Sequence, residues 1–179
     1  MIKHQNIILI GFMGCGKSTV GYELAKKLKF NFVDADAAIV AKAEKSITKI
    51  FSEQGEAGFR QLETDYLSEL CKQNITGQIL ATGGGMVLNK KNREYMKQLG
   101  VVIWLDAKFD LIWQRVKSAK HRPLVSNTEE SKFELSRLYD ARSSVYAQAC
   151  DFKVEIDKLS IDEIILGIVE SIRYSEKSE

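Results

Sequence analysis

The sequence predicts an α/β fold in three layers, a five-stranded parallel sheet covered by helices on both faces. Two observations carry this. Short apolar runs rich in β-branched residues alternate with longer segments whose apolar residues recur at helical spacing, the order that builds parallel sheets through right-handed crossovers. The first such run also leads directly into Gly11-Phe12-Met13-Gly14-Cys15-Gly16-Lys17-Ser18, a glycine-rich turn between a strand and a helix. At 179 residues the chain is expected to form a single domain, residues 1–179, large enough to bury a core.

Each element follows from its own pattern. Asn6-Ile7-Ile8-Leu9-Ile10 reads as a buried strand, and Val20, Leu24, Ala25 and Leu28 set the face of a helix from about Lys17 to Lys29. Asn31-Phe32-Val33-Asp34 is the second strand, ending in Asp34-Ala35-Asp36. If the chain stays extended there, two carboxylates two residues apart point the same way. A helix is expected from about Ala37 to Lys45, then a short turn of helix over Ile47 to Phe51 capped by Ser46. Gly55-Glu56-Ala57-Gly58 breaks the chain before a longer helix striped by Phe59, Leu62, Tyr66, Leu67 and Leu70. Gln78-Ile79-Leu80-Ala81 is the third strand and runs into Thr82-Gly83-Gly84-Gly85. Three glycines at a strand end allow a ligand or another backbone to approach closely.

A polar-faced helix over roughly Lys90 to Leu99 precedes the fourth strand, Val101 to Leu105, and a further helix spans about Phe109 to Val116. The segment around 117–130, basic at first and without periodicity, reads as a mobile lid or equally as a solvated loop. The helix from about Ser131 to Ala149 turns Leu135, Leu138, Val145, Tyr146 and Ala149 to one face, with Arg142 in its middle. Phe152 to Ile156 is the fifth strand, and Ile161 through Ile172 stripe the closing helix.

Composition removes several function classes. A net charge of +2 supplies no field that would select nucleic acid, and no apolar run approaches the ~20 residues that span a bilayer. The expectation is therefore a cytoplasmic protein with no nucleic-acid or membrane partner, working as a monomer. Cys15, Cys71 and Cys150 lack metal-ligand spacing and read as reduced thiols.

The chemistry starts at the glycine turn. Gly, four residues, then Gly-Lys-Ser is the spacing of a phosphate-binding loop, and a strand before it with a helix after it is the context that the motif requires. Backbone N–H groups from Gly14, Cys15, Gly16, Lys17, Ser18 and Thr19 would hold nucleotide phosphates, with Lys17 neutralising the outer ones. Ser18 would ligate Mg²⁺ directly and Asp34 through water, which leaves Asp36 to hold an acceptor hydroxyl, either positioning it or also deprotonating it. Arg60 lies where a helix N-terminus disfavours a cation, and Arg142 interrupts an apolar stripe. A charge at such a place is costly unless paired or set at a cavity mouth. Both suit an anionic acceptor, because a guanidinium fork matches a carboxylate. Arg122 in the lid would stabilise the transferring group. The residues alone therefore describe a kinase of a small, hydroxylated, anionic molecule.

Taken together, Gly11 to Gly21, Asp34-Ala35-Asp36, Gly58-Phe59-Arg60 with Glu63, Gly83-Gly84-Gly85, Arg122-Pro123-Leu124 and Arg142 resemble the shikimate kinases in order and spacing over nearly the whole chain. The resemblance implies a P-loop kinase fold of the nucleoside-monophosphate-kinase type. It implies transfer of the ATP γ-phosphate to the 3-hydroxyl of shikimate, a step toward chorismate and the aromatic amino acids. It further implies shikimate contacts at Asp36, Arg60, Gly84 and Arg142, flanked by Gly83 and Gly85, with Phe51 and Phe59 lining the pocket. Arg122 becomes the lid arginine, and Arg115 lies near the adenine. The chain departs from the family in two places. Asp157-Lys158-Leu159-Ser160 stands where many members place an arginine and a proline against the adenine, so backbone contacts are expected there. Ser143-Ser144 follow Arg142 where a proline is usual. Gluconate-type and nucleoside monophosphate kinases share the fold class, but the glycine triplet and the arginines argue against both. A GTPase-like switch needs Asn-Lys-x-Asp, and Asn89-Lys90-Lys91-Asn92 lacks the acid. A non-catalytic relative is disfavoured by Lys17, Ser18, Asp34 and Asp36.

Overall fold

In the computed structural model, residues 6–118 and 128–175 are described. Five strands, β1 (Asn6–Ile10), β2 (Asn31–Asp34), β3 (Gln78–Ala81), β4 (Gly100–Asp106) and β5 (Phe152–Glu155), form one sheet in the order β2-β3-β1-β4-β5. Every pairing is parallel. β1 lies at the centre with Ile8 opposite Leu80 on one side and Val102 on the other. A central strand covered on both faces has no solvated side, which is why β1 is apolar without alternation. Its one polar residue, Asn6, donates to the carbonyls of Ile75 and Leu99 and accepts from the Gln78 N–H, tying the lower ends of three strands together.

The helices are α1 (Lys17–Leu28), α2 (Ala35–Ala43), α3 (Ile47–Gln73), α4 (Lys90–Leu99), α5 (Phe109–Lys117), α6 (Glu129–Ala149) and α7 (Ile161–Ser175). α1 and α7 pack on each other, as do α3 and α4, and α6 packs beside β4. The chain leaves β1 toward β2 on one side and later crosses from β3 to β4 on the other. That reversal opens a crevice at the carboxyl end of β1, where open α/β sheets take their ligands.

Two local expectations are corrected, and one break is sharpened. α2 begins at Ala35, because Asp34 acts as its N-cap and accepts from the Ala37 N–H at 3.2 Å. Asp36 therefore stands on the first helical turn, and the extended-chain reason for its pairing with Asp34 does not hold. The expected break is present at Gly55, whose backbone leaves helical geometry (φ 68°, ψ −176°) between the short helix capped by Ser46 and the longer one, the two counted together as α3, while Gly58 stays helical. Leu138 is exposed, so the apolar face of α6 rests on Leu135, Tyr146 and Ala149. A 3₁₀ turn, Met86–Leu88, with Met86 and Val87 buried, follows the glycine triplet and has no counterpart in the sequence reading.

Candidate active site

A cleft of about 560 Å³ opens at the carboxyl end of β1, lined by the residues from Met13 to Val20 together with Asp34, Asp36, Thr82, Gly84 and Arg115. The glycine turn is built by close approach. Gly11 (φ 144°) sits where a Cβ would stand 2.6 Å from the Leu105 carbonyl, and one at Gly14 (φ 81°) would meet Val116 at 2.9 Å. Gly16 is the left-handed residue before α1 and supplies no side-chain cap. The first N–H groups of the helix therefore stay open to an anion. Lys17 is buried, and its Nζ donates to the carbonyls of Gly11 at 2.8 Å and Phe12 at 3.1 Å. Cys15 is buried beneath the loop, so its contribution to the cleft is its backbone. Ser18 Oγ donates to Asp34 Oδ2 at 2.7 Å. A hydroxyl beside one carboxylate at a phosphate loop fits Mg²⁺, which retains waters and takes its other ligands from phosphates.

Arg115 on α5 donates to the carbonyls of Gly14 and Cys15, both at 3.2 Å. It thus braces the loop as well as lining the cleft. Beyond it, Ile156, Leu159, Ile161 and Ile164 also line the cleft, Leu159 from within the Asp157–Ser160 stretch. Asp106, the acid that ends β4, faces Lys153 at 3.4 Å and is not in the lining. Arg122 lies outside the described residues. Of the expected lid, Lys117 closes α5 and Glu129 and Glu130 open α6.

The glycine triplet explains how the acceptor side is assembled. A Cβ on Gly83 would stand 2.5 Å from Asp36 Oδ1, and one on Gly85 would stand 2.5 Å from the Arg60 guanidinium carbon. Two of the three glycines are therefore vacancies filled by charged side chains from α2 and α3, and the third, Gly84, faces the cleft. The anionic partner that Arg60 called for is internal. Its Nη1 donates to both Glu63 oxygens at 2.9 and 2.8 Å, and its Nη2 donates to Glu56 at 3.0 Å. Glu63 is fully buried, and burial pushes its carboxyl above the ordinary range despite the Arg60 charge. Asp36 and Arg142 are the other charges that it feels. Arg142 lies over the Phe12 ring at 5.8 Å, and its Nε is buried with no hydrogen-bond partner. Phe59 is buried against half-exposed Phe51, with ring centroids 5.1 Å apart.

Lys17, Ser18, Asp34, Asp36 and Gly84 thus share the cleft wall. Arg60, Gly83, Gly85, Arg142, Phe51 and Phe59 stand outside that lining, behind or beside it. Glu63 and Tyr146 received no role from the sequence. Glu63 sits three residues after Arg60 on a helix, a spacing that brings side chains together and could have signalled the pair.

A family profile described as "Shikimate kinase" matches residues 13–173. A shikimate kinase of Staphylococcus haemolyticus is 42% identical over 167 residues, covering 93% of this chain and 94% of its own. The chain belongs to the shikimate kinase family. The structure of a shikimate kinase from Acinetobacter baumannii in complex with shikimate superposes with a TM-score of 0.87 at 35% identity, covering 97% of this chain and 95% of that one. A gluconokinase from Sinorhizobium meliloti superposes at a TM-score of 0.58 with 14% identity, covering 97% of this chain and 94% of that one, a likeness of fold alone.

Proposed function

We propose that this kinase transfers the γ-phosphate of ATP to the 3-hydroxyl of shikimate, giving shikimate 3-phosphate and ADP on the route to chorismate and the aromatic amino acids. One observation carries the choice of acceptor. Arg142 keeps a buried Nε without a partner, close enough to Asp36 and Arg60 that all three act on Glu63. A buried guanidinium donor left open is expensive unless a ligand completes it, and a carboxylate is the ligand whose geometry suits it.

The division of labour follows from position. The open N–H groups of α1 and Lys17 hold the phosphates of ATP, with Lys17 exchanging its loop carbonyls for phosphate oxygens. Ser18 and Asp34 are the residues that would hold Mg²⁺, which when bound neutralises phosphate charge. Arg142 and Arg60 hold the carboxylate of the acceptor. Asp36, on the cleft wall with the phosphate loop, receives the reacting hydroxyl and accepts its proton or orients it for attack. Phosphoryl transfer asks mainly for this kind of positioning and charge neutralisation. Leu159 and Ile161 give the base an apolar wall in place of the arginine and proline usual in the family. The chain works as a monomeric single domain in the cytoplasm, without nucleic-acid or membrane partners. Among the described residues no helix is long and apolar enough to cross a membrane.

The test is ADP release measured with shikimate, quinate, gluconate and nucleoside monophosphates in parallel. Turnover with shikimate should exceed the others by at least about tenfold, an advantage of about 1.4 kcal/mol in transition-state binding. Equal or greater turnover with gluconate or a nucleotide would overturn the assignment.

A further inference from the structure

The carbonyls of the glycine triplet are held in two different ways. Gly83 accepts from the Met86 N–H at 3.1 Å and Gly85 from the Leu88 N–H at 3.0 Å, both within the local 3₁₀ turn. Gly84 accepts from the Tyr146 hydroxyl at 2.6 Å, a bond that reaches across to α6. On its other side Gly84 lies against the phosphate loop, where a Cβ would meet the Met13 nitrogen at 3.4 Å and the Gly11 carbonyl at 3.7 Å. Gly84 is thus clamped between the loop that receives the donor and the helix that carries Arg142. Arg142 sits one turn before Tyr146 and so shares its helix face. Tyr146 is itself rigid. It is 2% exposed, and its ring stacks on Trp104 of β4 with centroids 5.9 Å apart.

We infer that the Tyr146 hydroxyl is a positioning group that fixes the spacing between the donor and acceptor halves of the site. Three successive glycines leave the strip little torsional resistance of its own. Because the peptide unit is planar, holding the Gly84 carbonyl also fixes the direction of the Gly85 N–H. The single proton of the hydroxyl is donated to the Gly84 carbonyl, so it acts through Gly84 and not on the reacting atoms. Burial raises the Tyr146 phenol well above its ordinary range, so it remains a proton donor across the working pH of the enzyme.

This inference rests on the kinase reading above, and the two fail separately. If the wild-type protein does not phosphorylate shikimate, that reading fails. If it does, Tyr146→Phe tests the inference. With the spacing relaxed by a fraction of an ångström to an ångström, kcat should fall by about 10- to 100-fold. The KM for ATP should stay within about twofold, because no phosphate contact is lost. Wild-type kcat together with a lowered Tm would overturn the inference and make the bond purely structural. Trp104→Phe controls for packing: it should lower Tm while leaving kcat within about threefold, and an equal loss of kcat in both variants would also overturn the idea. Should Tyr146→Phe not fold, 4-aminophenylalanine in place of Tyr146 still offers an N–H to Gly84, whereas 4-methylphenylalanine offers none at similar size. The first must keep the rate and the second lose it. Equal rates overturn the inference.

Discussion

Replacing Gly83 by alanine tests the proposed geometry at its tightest point. The new Cβ would stand 2.5 Å from Asp36 Oδ1 and 3.2 Å from Glu63 Oε1. The backbone at Gly83 is not in the left-handed region, so the substitution brings no torsional strain and its effect is steric. Glu63 cannot yield, since it is buried and both of its oxygens accept from Arg60 Nη1. Asp36 is the group that must retreat, by about 0.9 Å to recover ordinary contact at 3.4 Å. A misplacement of about 1 Å in a group that orients a reacting atom costs about 10²-fold in rate, about 2.7 kcal/mol. Steady-state ADP release should therefore show kcat reduced roughly 100-fold, with the ATP KM within about twofold because the phosphate loop is untouched. A kcat within about threefold of wild type, in a variant whose melting shows it folded, would refute the reasoning. Asp36 would then have no need of the place that Gly83 keeps open for it.

Two further outcomes are expected. Arg142→Ala should cost about 1.5–3 kcal/mol, the scale of a hydrogen bond to a charged group. That is about 10- to 150-fold in the acceptor KM, and an unchanged KM would remove Arg142 from the site. Glu63 predicts a pH dependence of stability. Its carboxyl titrates above the ordinary 4.5 in the folded chain because burial outweighs Arg60, so the folded state binds this proton more tightly than the unfolded one. Its contribution to stability is thus lost as pH rises from about 4.5 until the folded group has ionised. Chemical denaturation across this range should show wild type losing stability relative to Glu63→Gln as pH rises, and the opposite slope would mean that Arg60 outweighs burial.

Much of the fold was legible because it rests on local pattern. β1 and β3 read as strands because central parallel strands are continuously apolar, and β1 matches its expected bounds at both ends. The boundary errors have one physical source, capping and turn geometry. Asp34 could be read as the end of a strand, but only the structure shows its carboxylate capping α2. Gly55 and Gly58 look alike in sequence, yet only Gly55 leaves helical geometry, and nothing in composition separates them. In the site, Arg60 is marked by its unfavourable place on the helix, while Glu63 enters only as part of the resemblance, without a role. An i,i+3 pair on a charged helix is common, and only burial makes this one consequential.

By itself the sequence determined the phosphate loop, the order of strands and helices, and which residues bear charge where charge is unusual. Such features depend on spacing along the chain, through backbone periodicity and the freedom of glycine. Tertiary structure alone decided what fills the space that each glycine leaves. Asp36 occupies the space at Gly83 and the Arg60 guanidinium the space at Gly85, while Tyr146 holds the Gly84 carbonyl. These groups come from α2, α3 and the distant α6. Their meeting is set by the sheet order β2-β3-β1-β4-β5 and by side-chain packing across it, which no local pattern encodes.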